Sequence, residues 1–167
     1  MTKLFKPFEG HPDYQCFGCS PSNTIGLNVE FYEKGDFVIG KWITRSEFQG
    51  FKNILHGGIQ STLMDEVAAW CVNIKTGTSG VTKELNVKYL KPVHADGQEI
   101  ILKAHVVEMI KNIAIIEVEL INAKGVICAI GKLDYFTFPE AIAKRRLLYP
   151  GKEAFYKPSQ YLTYVPD

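Results

Sequence analysis

The sequence predicts an α+β protein in which a curved antiparallel β-sheet of about six strands wraps around one long central helix. Three observations carry this. Ile59, Leu63, Val67, Trp70 and Ile74 recur at helical spacing between Gly57 and about Lys75 and form one apolar stripe. Four strand-like stretches follow, separated by gaps of only three or four residues. Such gaps suit antiparallel neighbours, because a parallel crossover needs about a dozen residues. One long helix beside that much sheet must be buried by it, so the sheet has to curl.

The elements are read in chain order. Residues 1–25 hold Pro7, Pro12 and Pro21 with several glycines and read as an irregular N-terminal segment. Leu27 to Glu33 and Phe37 to Thr44 are rich in β-branched and aromatic residues, and the Lys34-Gly35-Asp36 turn between them fits a hairpin. Arg45 to Leu55 reads as a loop. The helix follows, ended by Gly77 and Gly80. The four strands are Val81 to Val93, Gln98 to Met109, Ile113 to Asn122 and Val126 to Phe138. Residues 139–167 form a C-terminal extension: Pro139 to Leu148 suits a short basic helix, and the remainder to Asp167 reads as a tail hugging the surface. The 167 residues suit a single domain with one core.

Composition narrows the function. Hydrophobic residues make up 46% and charged residues 22%, which argues against disorder. Lys plus Arg is 19 and Asp plus Glu is 18, so the basic excess of a nucleic-acid binder is missing. Met1 to Gly10 carries two lysines and no apolar run, unlike a secretory signal. The apolar stretches at Val67–Ile74 and Gly125–Gly131 stop at lysines, far short of the roughly 20 residues of a membrane span. A cytoplasmic protein with reduced thiols, no nucleic-acid partner and no membrane partner is expected.

The helix carries the chemistry. Between Lys52 and Lys75 its only acids are Asp65 and Glu66. At 100° per residue, Ser61, Asp65, Ala68, Ala69 and Val72 lie opposite the apolar stripe and are mostly small and apolar. This predicts burial on both sides, one against the sheet and the other against a second subunit or a ligand. A carboxylate there is costly unless it is bonded. Asp65 is therefore either a structural acid tied to a neighbouring chain or a carboxylate held for chemistry. The helix opens on His56-Gly57-Gly58. A glycine pair serves either a tight loop-to-helix turn or the close approach of a ligand to the backbone. The first N–H groups of a helix lack internal partners and carry partial positive charge, which suits an oxyanion.

The segment His56-Gly-Gly-Ile-Gln-Ser-Thr-Leu-Met-Asp65-Glu66 resembles the HGG…D signature of the hotdog-fold thioesterases, in the phenylacetyl-CoA-thioesterase-like branch. Phe48-Gln-Gly-Phe-Lys-Asn-Ile-Leu55 is similar to the usual lead-in. Val81-Thr-Lys-Glu-Leu-Asn-Val-Lys-Tyr-Leu-Lys-Pro92 looks like the next strand, and Cys16-Phe-Gly-Cys19 with Asn23 and Gly26-Leu27 resembles an N-terminal motif of some members. The resemblance covers about residues 15 to 138. It implies the hotdog fold, hydrolysis of acyl-CoA to free acid and CoA, no cofactor, and assembly as a homodimer or a homotetrameric dimer of dimers. By the same resemblance, Asp65 activates water or attacks the thioester, and the Gly57 N–H binds the carbonyl oxygen with His56 beside it. Thr82 helps place the water. The family often has Asn or Gln about fifteen residues before the acid; here Gly50 stands there, and Gln49 is one residue off. Glu66 is a rival for the acid. The alternatives are a hydratase or dehydratase on the same fold, and a non-catalytic acyl-CoA-binding protein.

Other groups are weaker candidates. Cys16 and Cys19 make half of a zinc site, and no second CxxC completes it, so no metal is expected. Cys71 and Cys128 read as core. His94 and His105 read as a surface or core pair without a catalytic partner. Lys88, Lys91 and the Lys144-Arg145-Arg146 cluster receive no role. Gly57 and Asp65 lie about 12 Å apart along one helix, so a site using both is expected to be shared by two chains.

Overall fold

The computed structural model describes residues 1–163 of the chain, with side chains as far as Tyr161. The last four residues of the expected C-terminal extension lie outside the described residues. The elements are β1 (Thr2–Leu4), β2 (Glu30–Lys34), β3 (Phe37–Ile43), β4 (Gln49–Phe51), β5 (Ile54–Leu55), α1 (Gly57–Lys75), β6 (Gly80–Tyr89), β7 (Glu99–Ile110), β8 (Ile113–Ile121), β9 (Ile127–Thr137) and α2 (Glu140–Arg146). Seven strands form one antiparallel sheet in the order β1-β2-β3-β7-β8-β9-β6, and β4 and β5 form a small separate hairpin. The α+β expectation holds, and the helix has the predicted ends.

Three expectations are corrected. First, the irregular N-terminal segment contains a three-residue edge strand, β1, paired with β2. Second, β6 does not pair with β7 across the short 94–97 gap. It runs to the far edge of the sheet and pairs with β9. The reason is α1: β6 follows the helix along its flank, and residues 90–98 then carry the chain back across the sheet. Third, the C-terminal segment does not lie only on the surface. On the second face of α1, Ala68 and Val72 are fully buried in the chain's own core, while Ser61, Asp65 and Ala69 are half-buried. The Trp70 side of α1 is where the C-terminal segment packs. Trp70 stacks on Phe31 at 3.9 Å and meets Phe155 edge-on at 5.2 Å, and Tyr149 donates to the Asn73 carbonyl at 3.0 Å. The C-terminal segment thus reaches the core, more deeply than a surface tail would.

Turn chemistry explains the hairpins. β2 and β3 are joined by Gly35-Asp36, with Gly35 at φ +56°. β8 and β9 are joined through Asn122, whose Oδ1 accepts from the N–H groups of Lys124 and Val126. The two glycines after α1 do different work. Gly77, at φ +69°, is the left-handed residue that stops the helix. Gly80 instead starts β6, pressed so close to β9 that an added Cβ would lie 2.4 Å from the Phe136 carbonyl oxygen. Backbone on a paired strand yields little, so Gly80→Ala should destabilise the protein by about 1–3 kcal/mol. A urea titration with unchanged m-value and a lowered midpoint is the expected readout; an unchanged midpoint would show that the edge moves freely.

Candidate active site

The helix entry is built by His56. Its backbone is extended, and its side chain caps α1, with Nδ1 accepting from the Gly58 N–H at 2.9 Å. The His56 carbonyl takes the N–H groups of Ile59 and Gln60. The Gly57 N–H has no acceptor among the described residues. Beside it opens a cavity of about 440 Å³ lined by Phe51, Leu55, His56, Gly57, Gln60 and Tyr89, among others. Gln60, which also lines this cavity, donates to the Leu55 carbonyl, while its buried Oε1 has no partner among the described residues. Sequence reading missed Gln60; only its buried amide oxygen marks it. Gly57 itself lies against the Tyr89 ring, whose hydroxyl donates to the Gly57 carbonyl at 2.8 Å and lies 2.7 Å from Ser61 Oγ.

Two turns along α1, Asp65 faces the same strand. Thr82 donates to Asp65 Oδ1 at 2.7 Å, and the Tyr135 hydroxyl from β9 bonds the same oxygen at 2.5 Å and the Asp65 carbonyl at 2.9 Å. Burial, then the Asp65 charge, push the Tyr135 phenol well above its ordinary range, so it stays a donor. Asp65 Oδ2 accepts no hydrogen bond among the described residues. Thr82 and Tyr89 are seven positions apart, which on a regular strand would put them on opposite faces. A bulge between Thr82 and Glu84 adds one residue to β6 and turns both toward α1. Tyr135 is a second residue the sequence reading missed, since nothing near it in the chain signals an acid.

The structure therefore brings Thr82 to Asp65, and His56 to Gly57, while the two pairs sit about 12 Å apart along the helix. Gln49 stays near the entry. Its Oε1 accepts from the Asn53 N–H at 3.0 Å, in the turn of the β4–β5 hairpin, and it does not bond Asp65 of its own chain. The rival acid Glu66 points elsewhere. It accepts from Trp70 Nε1 at 3.2 Å and meets Cys16 Sγ at 3.6 and 3.8 Å. Burial raises its carboxyl to about 7. Hydrogen bonding from the Cys19 thiol holds Cys16 down to about 5, assisted by the backbone N–H groups of Cys19 and Gly18. All four cysteines are free.

Comparison with known proteins places this arrangement. Residues 52–129, which include α1, β6, β7 and β8, match the model of the thioesterase superfamily. That stretch is what the chain shares with the superfamily, and the whole has the hotdog fold of its structural neighbours. Human acyl-coenzyme A thioesterase 13 is 34% identical over 80 residues, 47% of this chain and 56% of that protein. The chain thus spans about half the length of the curated relatives it matches. Among solved structures, the Escherichia coli PaaI protein of the phenylacetic acid degradation operon superposes with TM-score 0.62 at 19% identity, covering 68% of this chain and 82% of its own. A Streptococcus mutans protein solved bound to acetyl CoA gives TM-score 0.62 at 21% identity, covering 68% and 90%. Among the described residues, no helix is long and apolar enough to cross a membrane.

Proposed function

We propose that this protein hydrolyses acyl-CoA thioesters to a free acid and CoA, as a single cytoplasmic hotdog domain acting in a homodimer or a dimer of dimers. The observation that carries the reading is the unpartnered Gly57 N–H opening on the cavity at the capped helix entry. The relatives named acyl-coenzyme A thioesterase and the acetyl-CoA complex of a structural neighbour support the choice of substrate. The Gly57 N–H binds the thioester carbonyl oxygen as it gains negative charge. His56 fixes that turn by capping Gly58. Asp65, through its free Oδ2, takes a proton from water or attacks the carbonyl directly, while Thr82 and Tyr135 hold Oδ1 in place. On the water route the hydroxide adds to the carbonyl carbon, the C–S bond breaks, and the proton held by Asp65 passes to the sulfur, so CoA leaves as the thiol. On the direct route CoA leaves first, and water then hydrolyses the acyl-Asp65 anhydride, releasing the acid and making up the thiol's proton. Gln49, beside the entry, holds the Asn53 N–H and so fixes the hairpin next to the cavity.

The dimer is proposed through β6. This strand is hydrogen-bonded on one side only, to β9, and its ten residues leave Val81 and Tyr89 exposed. A long open edge is a template for pairing with another chain. Pairing two β6 edges about a two-fold axis would carry both helix entries and both Asp65 residues to the seam.

Aromatic, short-chain and long-chain acyl-CoAs, each mixed with the protein and a thiol-trapping dye, test the reading. One free thiol per thioester consumed is expected with at least one class. Thermal stabilisation by acyl-CoA without any thiol release would identify a binding protein instead.

A further inference from the structure

Across α1 from Asp65 lies a second cluster of groups that the proposed chemistry does not use. Cys16 Sγ, Cys19 Sγ and a Glu66 carboxylate oxygen lie within 4.8 Å of one another. They come from two distant parts of the chain, the N-terminal turn and the middle of α1. We infer that Cys16, Cys19 and Glu66 form a binding site for a thiophilic divalent cation of the zinc type, with the fourth position open to water.

Geometry is the first argument. In a tetrahedral zinc site with Zn–S about 2.3 Å and Zn–O about 2.1 Å, a sulfur and an oxygen ligand lie about 3.6 Å apart. Cys16 Sγ lies 3.6 and 3.8 Å from the two Glu66 oxygens. Two thiolates and a carboxylate are also a donor set that suits zinc, where sulfur favours it over magnesium or calcium. The CxxC spacing places both sulfurs on one side of a turn closed by the Ser20 N–H to Cys16 carbonyl bond at 3.1 Å.

Charge is the second argument. Glu66 sits inside the fold with Trp70 Nε1 as its one nitrogen donor, and no Lys, Arg or His forms an ion pair with it among the described residues. The Lys6 charge acts on Glu66 and Cys19, but its amine is partly desolvated and bonded to Asn28. A half-buried carboxylate beside two thiols has no ion-pair partner among the described residues, and a dication supplies one.

Shape is the third. A Cβ at Gly18, between the two cysteines, would lie 2.2 Å from Glu66 Oε2. The loop is cut so that the carboxylate enters it. Tyr14 Oη, 2.8 Å from Cys19 Sγ, is a ready outer partner for that sulfur. The ion would tie the N-terminal segment to α1, one residue along the chain from Asp65. This site stands or falls independently of the thioesterase reading.

The test uses full-length protein, metal-stripped and fully reduced, titrated with cobalt(II) in an inert atmosphere. One equivalent should bind, with tetrahedral ligand-field bands and a thiolate charge-transfer band that one equivalent of zinc abolishes. Cys16→Ser and Glu66→Gln should each weaken binding by ~100-fold or more, at or above the loss from an outer-partner change, while Cys128→Ala should leave it unchanged. If a variant fails to fold, alkylation of the parent protein decides, read residue by residue by mass spectrometry. Zinc should then protect Cys16 and Cys19. Absence of both the charge-transfer band and the protection overturns the proposal, as does a Glu66→Gln protein that binds cobalt as tightly as the parent.

Discussion

Asp65→Asn should lower kcat for acyl-CoA hydrolysis by about 10²-fold or more, the usual loss when a general base is removed. The structure makes this an unusually clean substitution. Asn keeps an oxygen where Asp65 Oδ1 accepts from Thr82 and Tyr135, so both hydrogen bonds survive. What changes is Oδ2, the oxygen with no partner among the described residues, which becomes an amide nitrogen that neither accepts a proton nor attacks a carbonyl. The midpoint of thermal unfolding should move little, because packing is retained. KM should move less than kcat, since the role proposed for Oδ2 belongs to the chemical step. Steady-state kinetics with the best acyl-CoA, paired with a melting curve, checks it. Near-normal turnover in Asp65→Asn, with the loss appearing in Glu66→Gln instead, would transfer the acid role to Glu66.

Two inactive variants should restore activity to one another when their chains are exchanged. The entry and the acid lie about 12 Å apart on one helix, while a base acting through one water must be within a few ångströms of the reacting carbonyl. A site using both therefore draws them from two chains. Asp65→Ala removes the acid. Gly57→Pro removes the entry N–H itself: proline suits the first position of a helix, and His56 before it already has the extended backbone that a following proline requires. An added Cβ at Gly57 meets the Tyr89 ring at 3.3 Å, a contact the ring absorbs by a small shift. Each variant alone should be inactive. In a statistical mixture half of the dimers are mixed, and each holds one intact site of its two, so about a quarter of parental activity should return. Verified heterodimers that stay silent, beside a parent protein that survives the same exchange, would exclude the shared site.

The sequence was legible where the physics is local. The helix boundaries follow from the His56-Gly57-Gly58 entry and Gly77, and the β2–β3 hairpin follows from Gly35-Asp36, because capping and turn geometry depend on residues a few positions apart. The apolar period placed Leu63, Val67, Trp70 and Ile74 in the core for the same reason. The resemblance gave Thr82 a part in placing the water; that it donates to Asp65 Oδ1 emerges only from the structure.

What sequence reading got wrong is all non-local. Short gaps predicted β6 beside β7, yet sheet order is decided by which edge the helix leaves free, and β6 lies beyond β9. The C-terminal segment read as a surface tail, yet Phe155 and Tyr149 bring it onto the Trp70 side of α1, a contact between distant parts of the chain that no local pattern signals. The bulge that turns both Thr82 and Tyr89 toward α1 leaves no mark in composition, since one extra residue in a strand changes facing without changing residue type. Glu66 shows the difference most directly. Beside Asp65 in the chain it reads as a rival for the same task, but one residue of helix rotates it by about 100°. That rotation points Asp65 at β6 and Glu66 at two cysteines some fifty residues away. The sequence by itself determined the elements and the presence of an acid on the buried helix. Only the tertiary structure decided which groups each acid meets, because those partners are brought together by packing between segments that no local rule connects.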